Sequence, residues 1–208
     1  MNLIKALEWR YAVRQFSSEP IDEQQVQALL TATRLSASAY GLQPYRLVVV
    51  NDMSVRRQLL KFAMGQDKVV HCSHLVVFAA QTDIGDEMVD RYMQSVAETR
   101  GTSIEALGGL AEHIKTVFTN MTPVQKREWA HQQTYIALGT LLTAAAVMKI
   151  DSCPMAGFES HGFDDVLGLN ELGLESSVIC PLGLRHPEDS SALLPKVRYG
   201  QSEMIINR

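Results

Sequence analysis

The feature that most constrains the fold is the run "TPVQKREWAHQQTYIALGTLLTAAAVMKI" at residues 122–150. Thr122 is a favourable N-cap, and Pro123 suits the first helical position because its missing N–H would be unpaired there anyway. The apolar residues become nearly continuous toward the C-terminal end, which is typical of a helix buried in a core. Glycine, threonine and lysine interrupt the run, so it favours a buried helix over a membrane span. We expect a central helix against which the other elements pack.

Three segments have the composition of buried strands, and they lie far apart: "RLVVVN" at 46–51, "HLVVFAA" at 74–80 and "SSVICPLG" at 176–183. The second is apolar throughout and is expected at the centre of the sheet. The helical segments between them follow no regular βαβ order, which favours an α+β fold over a doubly wound sheet. A weaker candidate strand, "SEMIIN", lies at 202–207.

Two amphipathic helices are predicted on either side of the first strand. Residues 22–35 have a capping box of Asp22 and Gln25, followed by an apolar stripe. Residues 54–64 begin with Ser54, the expected N-cap.

Two segments stand apart within what we expect to be one domain of residues 1–208. Residues 83–121 are polar and helical and are interrupted by Gly101, Gly108 and Gly109, which predicts a helical lid. Residues 184–208 contain two prolines and little periodicity. This arm has too little core of its own, so we expect it to cross to a partner subunit.

Composition excludes several classes of protein. The chain has 208 residues, 46% of them hydrophobic, and a net charge of −4, so it lacks the basic excess that nucleic-acid binding requires. Lys5 and Glu8 interrupt the N-terminal apolar run, which argues against a signal peptide. Three scattered cysteines form neither a disulfide framework nor a zinc motif. We expect a cytoplasmic protein that binds neither nucleic acid nor membrane.

Common catalytic motifs are absent from the sequence, including G-x-S-x-G, H-E-x-x-H, the P-loop and G-x-G-x-x-G. His71 and His74 allow a metal pair, but a solvated loop pair is the favoured interpretation, and we expect no metal. Cys153 has no evident base near it in sequence, so a structural role is favoured over a nucleophilic one.

Cationic residues near apolar loops remain as the main functional candidates. The segment "RYAVRQF" at 10–16 places Arg10 and Arg14 four residues apart. Lys196 and Arg198 alternate in "LPKVR", so both point the same way if that segment is extended. Together with Lys68 they indicate an anionic ligand with an apolar body, and the arm pair suits a phosphate.

At this point the sequence resembles the flavin-dependent nitroreductase family, and most of all its oxygen-insensitive NAD(P)H nitroreductases. Six motifs carry the resemblance in the family's order and span the chain: "RYAVRQF" at 10–16, "ASAYGLQPY" at 37–45, "GQDKVVHCSH" at 65–74, "QQTYIALG" at 132–139, "PMAGF" at 154–158 and "LPKVR" at 194–198. The resemblance implies a central, mostly antiparallel sheet flanked by helices. It also implies FMN as cofactor, NADH or NADPH as electron donor, and a homodimer with exchanged C-terminal arms.

The resemblance also assigns roles around the flavin. Arg10, Lys196 and Arg198 would hold the phosphate. Arg14 and Lys68 would lie near N1 and O2, and the Ala156 and Gly157 N–H groups near N5 and O4. Gln133 would lie near the ribityl chain, and residues 37–39 would come from the partner subunit. The implied cofactor-binding set is Arg10, Tyr11, Ala12, Arg14, Ala37, Ser38, Ala39, Gly65, Gln66, Lys68, Gln133, Pro154, Met155, Ala156, Gly157, Lys196 and Arg198.

The implied reaction needs no protein nucleophile or general base. Hydride would pass through flavin N5 in two-electron, ping-pong order to a nitroaromatic or quinone, supported by Arg14, Lys68 and Ala156. Ala12, Ala37, Ala39, Tyr45 and Ala156 depart from the family pattern and bear on substrate range. A dehalogenase, an enoate reductase, a flavin-destroying enzyme, a non-catalytic flavin-binding module and a flavin-free structural protein remain alternatives.

Overall fold

The computed structural model describes residues 2–208. Within that range the chain forms nine α-helices and four β-strands. They are α1 Leu3–Trp9, α2 Glu23–Arg34, β1 Tyr45–Val50, α3 Met53–Leu59, α4 Lys68–His71, β2 His74–Gln81, α5 Asp86–Arg100, α6 Ile104–Thr119, α7 Pro123–Val147, β3 Asp151–Ser152, α8 Ser160–Leu167, β4 Leu174–Gly183 and α9 Gln201–Met204.

The strands form one antiparallel sheet in the order β1-β2-β4-β3. Phe78 of β2 pairs with Leu47 on one side and Val178 on the other. Every residue of β2 except the last is buried, as predicted for the apolar segment 74–80. The α+β prediction and the three predicted strands are therefore confirmed.

Alternation along β2 divides the core between the two faces of the sheet. Val76 and Phe78 face a cluster that includes α2 and α7 residues. Leu75 and Val77 face a second cluster on the side of α3, α4 and α8. Helix α7 begins with the predicted Thr122 cap and a complete capping box with Gln125. No helix within residues 2–208 has the length and apolarity needed to cross a membrane.

The predicted lid forms two helices that pack onto α7. Gly101 ends α5 in the left-handed conformation that favours glycine. Phe118 of α6 is 1% exposed and packs edge-on against Trp129 at 4.9 Å between ring centroids. Gly108 and Gly109 lie inside α6, so the expectation that they interrupt the helix is wrong. A long capped helix tolerates the modest cost of an exposed glycine.

Two other local predictions are wrong. The N-cap of α3 is Asp52, whose carboxylate accepts from the Ser54 N–H at 2.6 Å and the Val55 N–H at 3.3 Å. Ser54 therefore lies within the first turn. The candidate strand at 202–207 instead contains the end of the short helix α9, and none of its residues pairs in the described sheet.

We predict opposite effects of two glycine-to-alanine changes. A Cβ at Gly162 of α8 would overlap the Phe62 ring, so Gly162→Ala should lower the free energy of unfolding by about 1–3 kcal/mol. Gly109 has no atom near its Cβ position, so Gly109→Ala should raise it by roughly 0.5–1 kcal/mol. Urea denaturation of both variants measures this, and a Gly162→Ala protein as stable as wild type would contradict it.

Candidate functional site

The first cationic segment turns from helix to extended chain at Arg10. Helix α1 ends at Trp9, and Arg10 has extended angles of φ −70° and ψ 145°. Ala12 then forms a bridge with Ser152, and Val13 is fully buried. The chain thus changes direction between Arg10 and Arg14, which lets the two cations serve different parts of one elongated site.

A cavity of about 510 Å³ joins the start and the end of the chain. It brings together seven predicted site residues: Arg10, Tyr11, Ala12, Arg14, Pro154, Lys196 and Arg198. Lys196 and Arg198 of "LPKVR" both line this cavity, as does Val197 between them.

The cations of this cavity repel one another. Burial lowers the pKa of Arg10, and the charge of Arg198 lowers it further. Burial also lowers the pKa of Lys196, followed by the charges of Arg10 and Arg198. In addition, the Arg10 Nε is buried and has no hydrogen-bond partner. An anion in the cavity would relieve both the repulsion and the unpaired donor.

Besides lining the cavity, Lys196 forms hydrogen bonds that the sequence did not reveal. Its ammonium donates to the Leu7 carbonyl oxygen at 2.8 Å and also to the Arg10 carbonyl oxygen. Those carbonyls belong to the end of α1, where the helix dipole favours a cation. Lys196 therefore ties the arm to α1 as well as contributing charge to the cavity.

A smaller cavity of about 200 Å³ lies beside the first and is lined by Arg14 and Lys68. Lys68 is 7% exposed at the start of α4. Arg14 lines both cavities. The two cations predicted for the pyrimidine edge therefore line one cavity, to which the arm contributes His186.

The 154–158 loop is anchored at its ends and open at its centre. Met155 exchanges backbone hydrogen bonds with Ile179 at 2.8 and 3.1 Å, and Phe158 is buried. Ala156 and Gly157 are exposed, and their N–H groups donate to no other group within residues 2–208. The Gln66 amide donates to the Gly157 carbonyl at 2.8 Å, which brings the loop of Gly65 and Gln66 to the same place.

The remaining predicted residues form a separate group in the single chain. The Gln133 side chain is buried and accepts from the Ala39 N–H at 2.8 Å. The Ser38 hydroxyl accepts from the Gln43 N–H at 3.0 Å. Neither cationic cavity is lined by residues 37–39 or by Gln133. Gly41 needs its left-handed φ of 77° here, and a Cβ would overlap the Tyr92 hydroxyl of the lid.

The structure also reveals a polar cluster that resembles a hydrolase triad. The His131 ring lies 2.7 Å from the Ser177 hydroxyl and 2.8 Å from the Glu175 carboxylate. The Thr134 hydroxyl lies 2.6 Å from the His131 carbonyl, to which it donates, and 2.7 Å from the Ser177 hydroxyl. The cluster ties α7 to the irregular register of β4.

Cys153 and His74, which the sequence offered as a nucleophile and a metal ligand, occupy structural positions. Cys153 is buried and its N–H donates to the Pro181 carbonyl at 3.1 Å. His74 lies 2.9 Å from the Ser73 hydroxyl and 3.6 Å from Glu23. Across residues 2–208 no three His, Cys, Asp or Glu side chains form a possible metal site.

Sequence reasoning missed the residues that brace the first segment from the other end of the chain. Arg185 pairs with Asp151 at 2.7 Å and stacks on Trp9 and Tyr11 at 4.1 and 4.7 Å from the ring centroids. Asp189 accepts hydrogen bonds from the Tyr11 hydroxyl and from the Arg14 backbone N–H. The only sequence signal for Arg185 and Asp189 is that a basic and an acidic residue lie in an arm with few contacts within itself.

A two-part cationic cavity beside open backbone N–H groups is suited to a long anion that accepts hydrogen bonds at one end. Comparisons of the chain with known proteins identify the family. The nitroreductase family profile matches residues 7–184. The oxygen-insensitive NAD(P)H nitroreductase of Enterobacter cloacae is 29% identical over 99% of this chain and 99% of its own.

Two solved structures share the fold. One, from Exiguobacterium sibiricum and solved in complex with FMN, has a TM-score of 0.84 at 15% identity, covering 100% of this chain and 98% of its own. CLA-ER, described as an enone reductase of gut-bacterial fatty acid saturation, has a TM-score of 0.82 at 19% identity, covering 99% and 97%. The chain belongs to the nitroreductase family. The predicted family, fold, enzyme class and cofactor pair of FMN with NAD(P)H are confirmed at the level of the family.

We predict that Gln133→Leu loosens the 37–39 loop. The change removes the acceptor of a largely enclosed N–H, so the Ala39 amide should exchange faster and unfolding should become easier by about 1–3 kcal/mol. The neighbouring Gln132 is exposed and forms no side-chain hydrogen bond within residues 2–208, so Gln132→Leu is the matched control. Hydrogen exchange measured by NMR decides, and equal Ala39 exchange in both variants would show that this bond does not hold the loop.

Proposed function

We propose that this protein is an FMN-dependent NAD(P)H oxidoreductase that reduces nitroaromatics or quinones in ping-pong order. The observation that carries the proposal is the mutual repulsion of Arg10, Lys196 and Arg198 around one cavity, together with the unpaired buried Nε of Arg10. A folded chain keeps such a cluster only at a cost, and a bound dianionic phosphate offsets that cost.

The residues present fit FMN along its whole length. The three cations suit the phosphate end, and Arg198 is exposed and donates to the Val197 carbonyl within the arm itself. Arg14 and Lys68 suit the pyrimidine edge. Arg14 follows Arg10 by 4 positions in the chain. The outward N–H groups of Ala156 and Gly157 suit the acceptors of the central ring. Pro154 and Met155 orient that loop.

When bound, FMN supplies the transfer of a hydride from NADH or NADPH to the oxidising substrate. The protein's part is electrostatic. Arg14 and Lys68 provide fixed positive charge where negative charge grows during reduction, and fixed charge needs no reorganisation at that moment. At about 4 Å and an effective dielectric of ~20, one such charge contributes roughly 4 kcal/mol. No side chain of the site has to accept a proton.

Substrate choice follows from the neutral 154–158 loop. Ala156 leaves the open face of the cavity without a charge, which suits flat aromatic acceptors of either polarity. Tyr92 places α5 of the lid next to the Gly41 loop, so in the proposed dimer the lid would provide a wall for the site to which that loop contributes.

A homodimer with exchanged arms completes the proposal. Leu193, Val197 and Ile206 of the arm are 87%, 84% and 78% exposed, which is unusual for so many large apolar side chains in a free chain. Within residues 2–208, β1 pairs only with β2, so its other edge is open beside a groove of about 430 Å³ against α2. The partner's arm suits that edge, and the partner's 37–39 loop suits the ribityl side. Sedimentation showing a flavin-loaded monomer at micromolar concentration would refute this dimer.

We predict that the purified protein takes up one FMN per subunit and is bleached by NAD(P)H under nitrogen. Addition of a nitrofuran or a quinone should restore the flavin absorbance within one turnover. Bleaching without reoxidation by either acceptor, but with reoxidation by a halophenol or an enone, would point to the dehalogenase or enoate reductase alternatives. Bound FMN that stays oxidised would indicate a binding module, and no FMN uptake would refute the proposal.

We predict that Arg198→Ala separates flavin affinity from stability. Loss of one cation from a largely desolvated phosphate should cost about 2–5 kcal/mol of binding, which is ~30-fold or more in the dissociation constant. The apo protein should keep or slightly raise its unfolding midpoint, because the change removes a charge that repels Arg10 and Lys196. Lys196→Ala should weaken FMN binding and also destabilise the apo protein, because α1 loses the cation at its carbonyls.

The control for Arg198→Ala and Lys196→Ala is Arg100→Ala. It removes one positive charge, as those two changes do, but from an exposed residue at the end of α5. Fluorescence titration of FMN and thermal unfolding of the apo proteins give the two readouts. Equal FMN affinity of Arg198→Ala and Arg100→Ala would remove Arg198 from the phosphate site.

A further inference from the structure

The carboxylate of Asp189 in the arm is buried against the first cationic segment. One oxygen accepts from the Arg14 N–H at 2.8 Å, the Gln15 N–H at 3.2 Å and the Tyr11 hydroxyl at 3.0 Å. The other accepts from the Ser191 N–H at 3.0 Å. Asp189 is 4% exposed. All four partners are donors, so the ionised carboxylate satisfies every one of them.

Two consecutive backbone N–H groups that point at one oxygen form an anion-binding concavity. Here Arg14 and Gln15 supply the N–H groups, and the chain's own carboxylate fills the concavity. Burial alone raises the pKa of Asp189, but the N–H groups of Arg14 and Gln15 and the Tyr11 hydroxyl lower it by more. The carboxylate therefore stays ionised at neutral pH, and the anchor persists there.

The anchor fixes the point from which the Arg14 side chain leaves the backbone. The guanidinium itself is exposed and forms no hydrogen bond or ion pair within residues 2–208. Its neighbours are held from the same arm, because the His186 N–H donates to the Gln15 carbonyl at 2.9 Å and Phe16 bridges Arg185. The position of Arg14 between the two cavities therefore depends on its backbone.

We infer that Asp189 is a positioning residue that holds Arg14 at the pyrimidine end of the bound flavin. This inference rests on the proposed function. The same arm carries Arg198, so one segment sets the cation at each end of the ligand. The flexible Arg14 side chain loses rotamer freedom when the flavin binds, and a fixed backbone limits the conformational entropy that must be lost. Without Asp189 the guanidinium would still be present but displaced.

The test is a double-mutant cycle on the full-length protein. Asp189→Ala should raise the FMN dissociation constant about tenfold and lower the flavin midpoint potential. In the Arg14→Leu background the same change should alter the dissociation constant by less than about twofold and leave the potential unchanged, because Asp189 acts through Arg14. Asp189→Asn keeps one oxygen for the two N–H groups and should show smaller effects in the same direction.

The matched control is Asp22→Ala. Asp22 also accepts from two consecutive backbone N–H groups, those of Gln24 and Gln25 at 2.8 and 3.3 Å, and it lines neither cationic cavity. Its loss should lower the unfolding midpoint without changing the flavin potential. This separates a general loss of a buried or capping carboxylate from an effect on Arg14.

Equal effects of Asp189→Ala in the wild-type and Arg14→Leu backgrounds would overturn the inference. If Asp189→Ala does not fold, Asp189→Asn carries the same cycle. Failure of wild type to bind FMN would refute the proposed function instead. The anchor is then judged in the apo protein, where Asp189→Asn should speed exchange of the Arg14 and Gln15 amides, and unchanged exchange would overturn it.

Discussion

The burial of β2 on both faces is the constraint from which the arrangement of the molecule follows. Its side chains alternate between two apolar clusters, so helices must cover both sides of the sheet. Helix α7 supplies much of one cover, and α3, α4 and α8 supply the other. The cations of the two cavities lie instead where residues 10–16, which bridge Ser152 of the short strand β3, meet the arm.

At that end the chain uses its own ends as opposing walls. The first segment is held by Ser152 through Val13, by Lys196 through α1 and by Asp189 through the Arg14 backbone. The arm in turn contacts that segment through His186 and Asp189 and contacts Asp151 through Arg185. Each wall braces the other, which explains how a segment of 25 residues with little core of its own can still set the geometry of a cavity.

The electrostatics of the site oppose the stability of the free chain. Burial and the charge of Arg198 lower the pKa of Arg10, burial and the charges of Arg10 and Arg198 lower the pKa of Lys196, and the Arg10 Nε is buried without a hydrogen-bond partner. Negative groups are present, but they are used elsewhere: Asp189 by backbone N–H groups and Asp151 by Arg185. Positive charge is thereby left for a ligand. This separation of structural anions from the cations proposed to bind the ligand is a consequence of the fold that composition alone, with its net charge of −4, conceals.

The sequence by itself determined the elements whose signals are local. The Thr122 cap and apolar run predicted α7, the apolar segment 74–80 predicted the central strand, and six short motifs predicted the family. The flavin contacts that those motifs imply stay a prediction. Local signals failed where two neighbours compete, as Asp52 and Ser54 do for one cap, or where helix length outweighs Gly108. Only the tertiary structure decided the pairs of Lys196 with Arg10 and Asp189 with Arg14, which lie 186 and 175 residues apart. Such contacts leave no periodicity in the chain, because a single hydrogen bond between distant residues depends on where the whole core places their backbones.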